Sequence, residues 1–276
     1  MRNLMIVAGK EFRDGLRNRW VLAITLVFGL LAIGLAYFGA AASGQVGFTR
    51  VSTTIVSLSS LAVFLIPLIA LMLAYDSIVG EDEQGTLLLL MTYPLSRTGL
   101  LAGKFLGHGA MLALATVLGF GIAAVMIVLL AEQASWAALA GPFGLFIVSA
   151  VLLGWVFLAL AYLISVSTRE KARAAGLALL VWFLFVLVYD LALLGLLVGT
   201  EGQLGGGLFR TLLLLNPTDV FRLVNFTGFE EAAAASGLLT VFSDQAHSPL
   251  LLLGILAAWT VVPLVIAALL FAGRRT

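Results

Sequence analysis

The sequence predicts an all-α, polytopic membrane protein, and three observations carry that prediction. Of 276 residues, 62% are hydrophobic and only 11% are charged, whereas soluble domains run about 45–50% apolar and about 25% charged. Six apolar runs are each long enough to cross a ~30 Å hydrocarbon core, which takes about 20 helical residues. Of the charged residues, only Asp190 falls inside one of those runs.

The chain reads as a single transmembrane domain, 1–276. Residues 2–19 form an amphipathic helix: Met5, Ala8, Phe12, Leu16 and Trp20 recur at three- and four-residue steps, while Lys10, Arg13, Asp14, Arg17 and Arg19 fill the other faces. That pattern suits the membrane surface, with cations among anionic headgroups. A cleaved signal peptide is the competing reading, because Gly39-Ala40-Ala41-Ala42 follow the first apolar run. Against it, the run exceeds the ~7–15 residues of a signal core and is preceded by a long amphipathic stretch. The predicted spans are about 20–40, 55–75, 105–130, 143–165, 174–198 and 250–272. Pro67 and Pro263 fall within spans and are expected to kink them, with neighbouring helices satisfying the carbonyl each frees.

Twelve of the fifteen basic residues fall on the side that carries both ends of the chain, leaving Arg50, Arg210 and Arg222 on the other. The positive-inside rule therefore places both termini in the cytoplasm. Between spans two and three lies a loop (76–104) with four acids in eight positions, Asp76, Glu81, Asp82 and Glu83, ahead of the apolar run Leu87–Met91 that Pro94 ends. An acidic start and an apolar end offer a partner both charge steering and an anchor. The long outer segment, 199–249, opens on Gly205-Gly206-Gly207 and continues through Asn216-Pro217-Thr218-Asp219 to Val220–Phe226. Asn-Pro signals a turn, Thr218-Asp219 could cap a following helix, and the segment is apolar enough to dip back into the outer leaflet.

A carboxylate in a span costs about 2.5–3.5 kcal/mol at its centre on insertion scales, so Asp190 should face protein or water. Either it lines a path or locks two helices, or it is an interfacial aspartate bonded near Tyr189 or to Arg210. Gly195 and Gly199 on one helix, like Gly103 and Gly107 on another, permit close helix approach; the first pair is a candidate dimer seam.

Several chemistries are excluded. There is no cysteine, and His108 and His247 lie far apart, so thiolate and His-rich metal sites are ruled out. Around Gly103-Lys104 the chain has Thr98 and Phe105 where a phosphate-binding loop needs Gly and Ser or Thr. No zincin motif, nucleophile elbow or intramembrane aspartate pair appears, which argues against a membrane enzyme. The near-neutral charge balance argues against nucleic acid binding.

The informative regions together resemble the type-2 ATP-binding-cassette (ABC) transporter permeases. Lys10-Glu11-Phe12-Arg13-Asp14-Gly15-Leu16-Arg17-Asn18-Arg19-Trp20 is similar to that family's N-terminal connecting helix. Residues 81–104, EDEQGTLLLLMTYPLSRTGLLAGK, resemble its coupling-helix region, with a Glu-x-x-x-Gly-Thr start, a Pro-x-Ser-Arg turn and a Gly-Lys end. Within the family, the run from Leu215 to Arg222 and the chain length resemble the branch that serves assembly of the copper centres of nitrous oxide reductase.

The resemblance implies a multi-pass protein of the bacterial inner membrane, a homodimer with two copies of a cytoplasmic ATPase carrying ATP and Mg. It also implies an extracytoplasmic, β-helical, copper-handling partner. This chain would bind no cofactor and hydrolyse nothing itself. Any copper would sit on that partner, since no methionine lies in an outer loop and copper(I) favours Cys, Met and His. The residues expected to couple to the ATPase are Glu81, Asp82, Glu83, Gly85, Thr86, Leu87, Met91, Pro94 and Arg97, with the three acids facing a basic rim on it. Those expected to touch the outer partner are Asn216, Pro217, Asp219, Phe221, Arg222 and Phe226, with Glu230-Glu231 beside them. The alternative, a stand-alone six-helix secondary transporter or channel, needs a polar pathway and coupling-ion ligands that one intramembrane aspartate hardly supplies.

Overall fold

The computed structural model describes residues 2–17, 19–38, 51–93, 95–130, 135–201, 205–226 and 248–274, and every regular element among them is helical. In chain order these are α1 (Arg2–Arg17), α2 (Trp20–Phe38), α3 (Val51–Ala74), α4 (Val79–Glu83), α5 (Thr86–Met91), α6 (Arg97–Leu130), α7 (Trp136–Ser167) and α8 (Lys171–Phe183). A π-helical turn (Leu184–Val188) joins α8 to α9 (Tyr189–Gly199), followed by α10 (Gly206–Leu214), α11 (Pro217–Phe226) and α12 (Pro249–Gly273). Gly39 to Ala42, Arg50, Pro94, Glu230, Glu231, His247 and Arg275 lie outside the described residues.

Five helical stretches are long and apolar enough to cross a membrane, and α2 supplies a sixth if taken with α1, from which it bends by 64°. The helices run longer than the apolar segments alone indicate. In particular, α6 begins at Arg97 rather than near residue 105, so Arg97 to Lys104 are the first two turns of a helix and not loop. Pro67 and Pro263 sit inside continuous helices.

α7 is the axis of the bundle. It is apolar on all sides, the pattern of a helix surrounded by others. Some 56% of its apolar stretch is buried, against 17% for α8–α9, which makes the latter the periphery. Around α7 pack α3, α6, α11 and α12. A ring-to-ring path crosses the bundle: Phe28 stacks on Phe120 at 4.9 Å, Phe120 meets Phe146 edge-on at 4.8 Å, and Phe146 reaches Phe221 at 6.1 Å. These are offset and edge-to-face geometries that aromatic quadrupoles favour.

In lipid, helices gain little from burying apolar surface and associate through close packing. α6 shows how. Gly103, Gly107, Met111, Ala115 and Gly119 recur every four residues along one face, and α1 and α2 lie along it. A Cβ on Gly107 would stand 2.7 Å from the Ala8 carbonyl oxygen, and one on Gly119 would stand 2.7 Å from the Phe28 Cβ. The pair Gly103/Gly107 is therefore the seat of α1 within this chain. Among the described residues, nothing outside the helix's own nearby backbone lies within 4 Å of a Cβ built on Gly195 or Gly199.

Candidate functional site

Both described ends of the chain meet at one end of the bundle, and the acid-rich segment after α3 is fastened there. α4 starts on Ile78 and Val79, whose backbone N–H groups donate to the Ser165 hydroxyl of α7 at 3.0 and 3.1 Å. Two N–H groups that a helix start leaves unpaired are thereby satisfied. Gly85, at φ +73°, then turns the chain from α4 into α5, a left-handed conformation that glycine adopts at no steric cost.

Each acid of the segment has a partner inside the chain. The Glu81 carboxylate lies 2.8 Å from Lys104 Nζ, which also lies 2.9 Å from Glu11 on α1. Asp82 pairs with Arg274 at 2.9 Å, and Arg274 also donates to the Thr168 carbonyl at 3.1 Å. Glu83 accepts from the Lys171 backbone N–H at 3.3 Å, and Asp76 pairs with the Lys171 ammonium at 2.7 Å. Arg97 donates to the carbonyls of Phe271 and Arg274 at the end of α12. One short acidic stretch thus holds α1, α6, α8 and the end of α12.

Lys104 is the deepest of these cations, with 5% of its side chain exposed. Burial, the largest influence, would raise the Glu11 carboxyl, but the Lys104 ammonium beside it, together with His108 and Lys10, holds it below the usual carboxylate range. His108, one turn on, bonds Tyr162 Oη through Nδ1 at 2.7 Å and lies 3.7 Å from Glu11 through Nε2. Sequence reasoning passed over this cluster. The signals were there: Lys104 sits between Gly103 and Gly107 of α6, and Glu11 interrupts the face formed by Ala8, Phe12 and Gly15.

The outward surface of the segment combines the polar Glu83 and Gln84 with an apolar part. Leu88, Leu89 and Tyr93 are 59%, 65% and 64% exposed. Leu87 is buried and Met91 half-buried against the core, while the Thr86 hydroxyl donates to the Glu81 carbonyl at 3.1 Å. Of the acids expected to face an ATPase, Glu81 and Asp82 meet cations within the chain and Glu83 stays exposed, and of the Leu87–Met91 run Leu88 and Leu89 project.

At the other end, α10 and α11 form a hairpin that turns into the bundle. Asn216 is the N-cap of α11: its Oδ1 accepts from the Thr218 N–H at 3.0 Å, and Pro217 takes the first helical position. The cap therefore falls two residues before the expected Thr218-Asp219. The Asn216 amide and the Thr218 hydroxyl both donate to the Phe185 carbonyl, at 3.0 and 3.2 Å. Phe185 lies in the π turn. Tyr189 Oη donates to the Leu212 carbonyl at 2.6 Å and Trp259 Nε1 to that of Leu214 at 3.2 Å.

Asp190 pairs with Arg222 at 2.5 Å, where the sequence had suggested Arg210, and Arg222 also reaches Asp219 at 2.9 Å. Asp190 thus locks α9 to α11. Asn216, Pro217, Asp219, Phe221 and Phe226 are all buried, Phe221 completely, and Arg222 is half-buried. In the single chain these side chains, Arg222 in part, face the bundle. The described part of the segment reads as an internal hairpin. Among the described residues no three His, Asp or Glu side chains converge on a metal-sized site.

A family model described as ABC-2 family transporter protein matches residues 5–275. The probable ABC transporter permease protein NosY of Stutzerimonas stutzeri is 56% identical over 276 residues, covering 100% of both chains. The probable ABC transporter permease protein NosY of Pseudomonas aeruginosa is 58% identical over 268 residues, covering 97% of both. A full-length match at that identity, on a bundle of apolar helices with a fastened segment after the second span, leads to one conclusion: the chain belongs to the ABC-2 transporter family.

Proposed function

We propose that this chain is the membrane subunit of an ABC transporter whose ATP hydrolysis is carried out by a separate, NosF-like ATPase docked on α5. The observation that carries the reading is the exposed Leu88–Leu89–Tyr93 surface on a segment tied to four other helices. A protein whose charge pattern puts this end in the cytoplasm presents there a hydrophobic anchor on a rigid base, the arrangement in which a few buried apolar side chains dominate affinity. Hydrolysis in the partner would move this base and, through α6, α7 and α12, the hairpin at the opposite end. The output is transport or mechanical remodelling of an extracytoplasmic, NosD-like β-helical partner, in the assembly of the copper centres of nitrous oxide reductase in denitrification. Copper ligands belong to that partner, and ATP and Mg to the ATPase.

The functional unit is a homodimer in the bacterial inner membrane, with both termini cytoplasmic. Its seam follows α8–α9, the least buried span, where Gly195 and Gly199 leave room for a second copy to approach. The deciding experiment is co-purification of an ATPase with the tagged chain, with Leu88→Asp/Leu89→Asp as the control that releases it. A tagged chain that transports in vesicles with no ATPase attached would establish the stand-alone transporter instead.

A further inference from the structure

The acid-rich segment has three cationic partners, and they differ in kind. Lys171 and Arg274 are 44% and 18% exposed, and each fastens the segment to the end of one helix. Lys104 is 5% exposed and bridges two carboxylates that belong to different elements, Glu11 of α1 and Glu81 of α4. Those residues lie 93 and 23 positions from it in sequence. It reaches both only because α1 is drawn against α6 at the flanking glycines. A Cβ on Gly103 would stand 2.8 Å from Val7 Cβ, and one on Gly107 would stand 2.7 Å from Glu11 Cβ. That approach strips Lys104 of water. A buried ammonium so placed needs its counter-charges, and removing either leaves an uncompensated charge.

We propose that Lys104 is a positioning residue that makes α1 and the α4–α5 pair one mechanical unit. This rests on the reading that a partner ATPase acts on α5. The exposed leucines of α5 connect to α4 across Gly85 and through the Thr86 hydroxyl on the Glu81 carbonyl. Glu81 is in turn held by Lys104, and Lys104 by Glu11. A displacement applied at Leu88 and Leu89 is therefore delivered to α1 as well as to α6. His108, bonded to Tyr162 and facing Glu11, ties the same clamp to the bundle axis. The helix lying along the membrane surface is on this account a driven part of the machine, not a passive anchor.

The chain has no cysteine, so engineered cysteines carry spin labels without background. Ile6→Cys on α1 and Gln84→Cys at the end of α4 are both exposed and report the distance across the clamp. Leu106→Cys and Leu179→Cys, exposed on α6 and α8, report on the bundle. In the full-length chain in lipid nanodiscs, both pairs should show one narrow distance distribution. Lys104→Met should cost the first pair its narrow peak and leave the second unchanged. A narrow first pair in Lys104→Met overturns the proposal, and so does broadening of both pairs, which would make Lys104 a general structural residue.

If Lys104→Met does not fold, the triple variant Glu11→Gln/Lys104→Met/Glu81→Gln, which leaves no charge in the clamp, takes its place with the same two readings. In the complex, an ATPase should still co-purify with Lys104→Met, because Leu88 and Leu89 are untouched, but the nucleotide-dependent shift of the Ile6 label should be lost. A wild-type chain that captures no ATPase would defeat the functional reading while leaving the distance test of the clamp intact.

Discussion

The side-chain amide of Asn216 donates to the Phe185 carbonyl oxygen at 3.0 Å across 31 positions of sequence. One end of that bond is the cap of α11, and the other is a carbonyl inside the π turn between α8 and α9. The break in the fifth span and the start of the hairpin thus satisfy each other. In a bilayer, where no water can substitute, each would otherwise be costly. The widened turn also sets α9 so that Asp190 meets Arg222, and a charge within a span gains a counter-charge from the hairpin.

Asn216→Ala should therefore destabilise the protein by about 1–3 kcal/mol, because it strips a buried carbonyl and a helix start of donor and acceptor together. Thermal unfolding of the purified chain in detergent measures this. Asn216→Asp keeps the cap acceptor but loses the amide donor and sets a second carboxyl against Asp219, to which the amide donates at 2.9 Å, so it should not recover the loss. Full stability of the alanine variant would mean that the Phe185 carbonyl is satisfied elsewhere.

The two small-residue pairs should behave differently. Gly107→Leu drives a side chain into the Ala8 carbonyl and Glu11, so α1 should leave its seat and become sensitive to protease in the otherwise folded chain. A Cβ at Gly195 or Gly199 meets no neighbouring element among the described residues, so Gly195→Leu/Gly199→Leu should leave the thermal midpoint of the monomer unchanged. Its effect should fall on self-association, read by crosslinking between copies in the membrane. Crosslinks that persist unweakened would move the seam away from α9.

The spans were legible because length and hydropathy alone decide whether a helix can cross a bilayer. The family was legible because Glu81 to Lys104 is a dense, ordered motif. What escaped was the direction in which side chains point. Glu81, Asp82 and Glu83 look like a partner surface in sequence because acids are usually solvated, and their cations lie on three other elements. Lys104 read as the last residue of a loop because the apolar run starts after it, although the helix starts at Arg97. Phe221, Arg222 and Phe226 fit an outer contact by residue type alone, and aromatic residues favour interfaces and cores alike. A π turn leaves no periodic trace.

The internal pairing of Glu81 and Asp82 separates two variants that the sequence alone would treat as equivalent. Leu88→Asp/Leu89→Asp changes side chains more than half exposed, so the chain should insert and unfold as the wild type does while losing the ATPase. Glu81→Lys/Asp82→Lys/Glu83→Lys places like charges against Lys104 and Arg274 and next to Lys171. It should lower the thermal midpoint before any partner is added. Measuring midpoint and ATPase retention in parallel distinguishes them. An acid variant of native stability that still sheds the ATPase would return the acids to the partner surface.

The last test concerns the far end of the bundle. Triple alanine at Phe221, Arg222 and Phe226 would be the natural probe of an outer partner, but Phe221 is fully buried against Phe146 and Phe226 is 7% exposed. Truncating a buried phenylalanine costs about 3–5 kcal/mol, from lost contacts and the cavity left behind. Arg222→Ala also leaves Asp190 and Asp219 facing each other without their shared cation. The triple variant should therefore unfold the hairpin and lose the outer partner and the ATPase together. Leu208 of α10 and Leu215 just after it are exposed, so Leu208→Ala/Leu215→Ala leaves the fold intact and is the variant to use for surface contact. Pull-down with both partners monitored reads the outcome. If the triple variant keeps its thermal midpoint and its ATPase but sheds the outer partner, then Phe221 and Phe226 swing outward in the assembled complex, and the hairpin would be a docking element that unfolds from the bundle to bind.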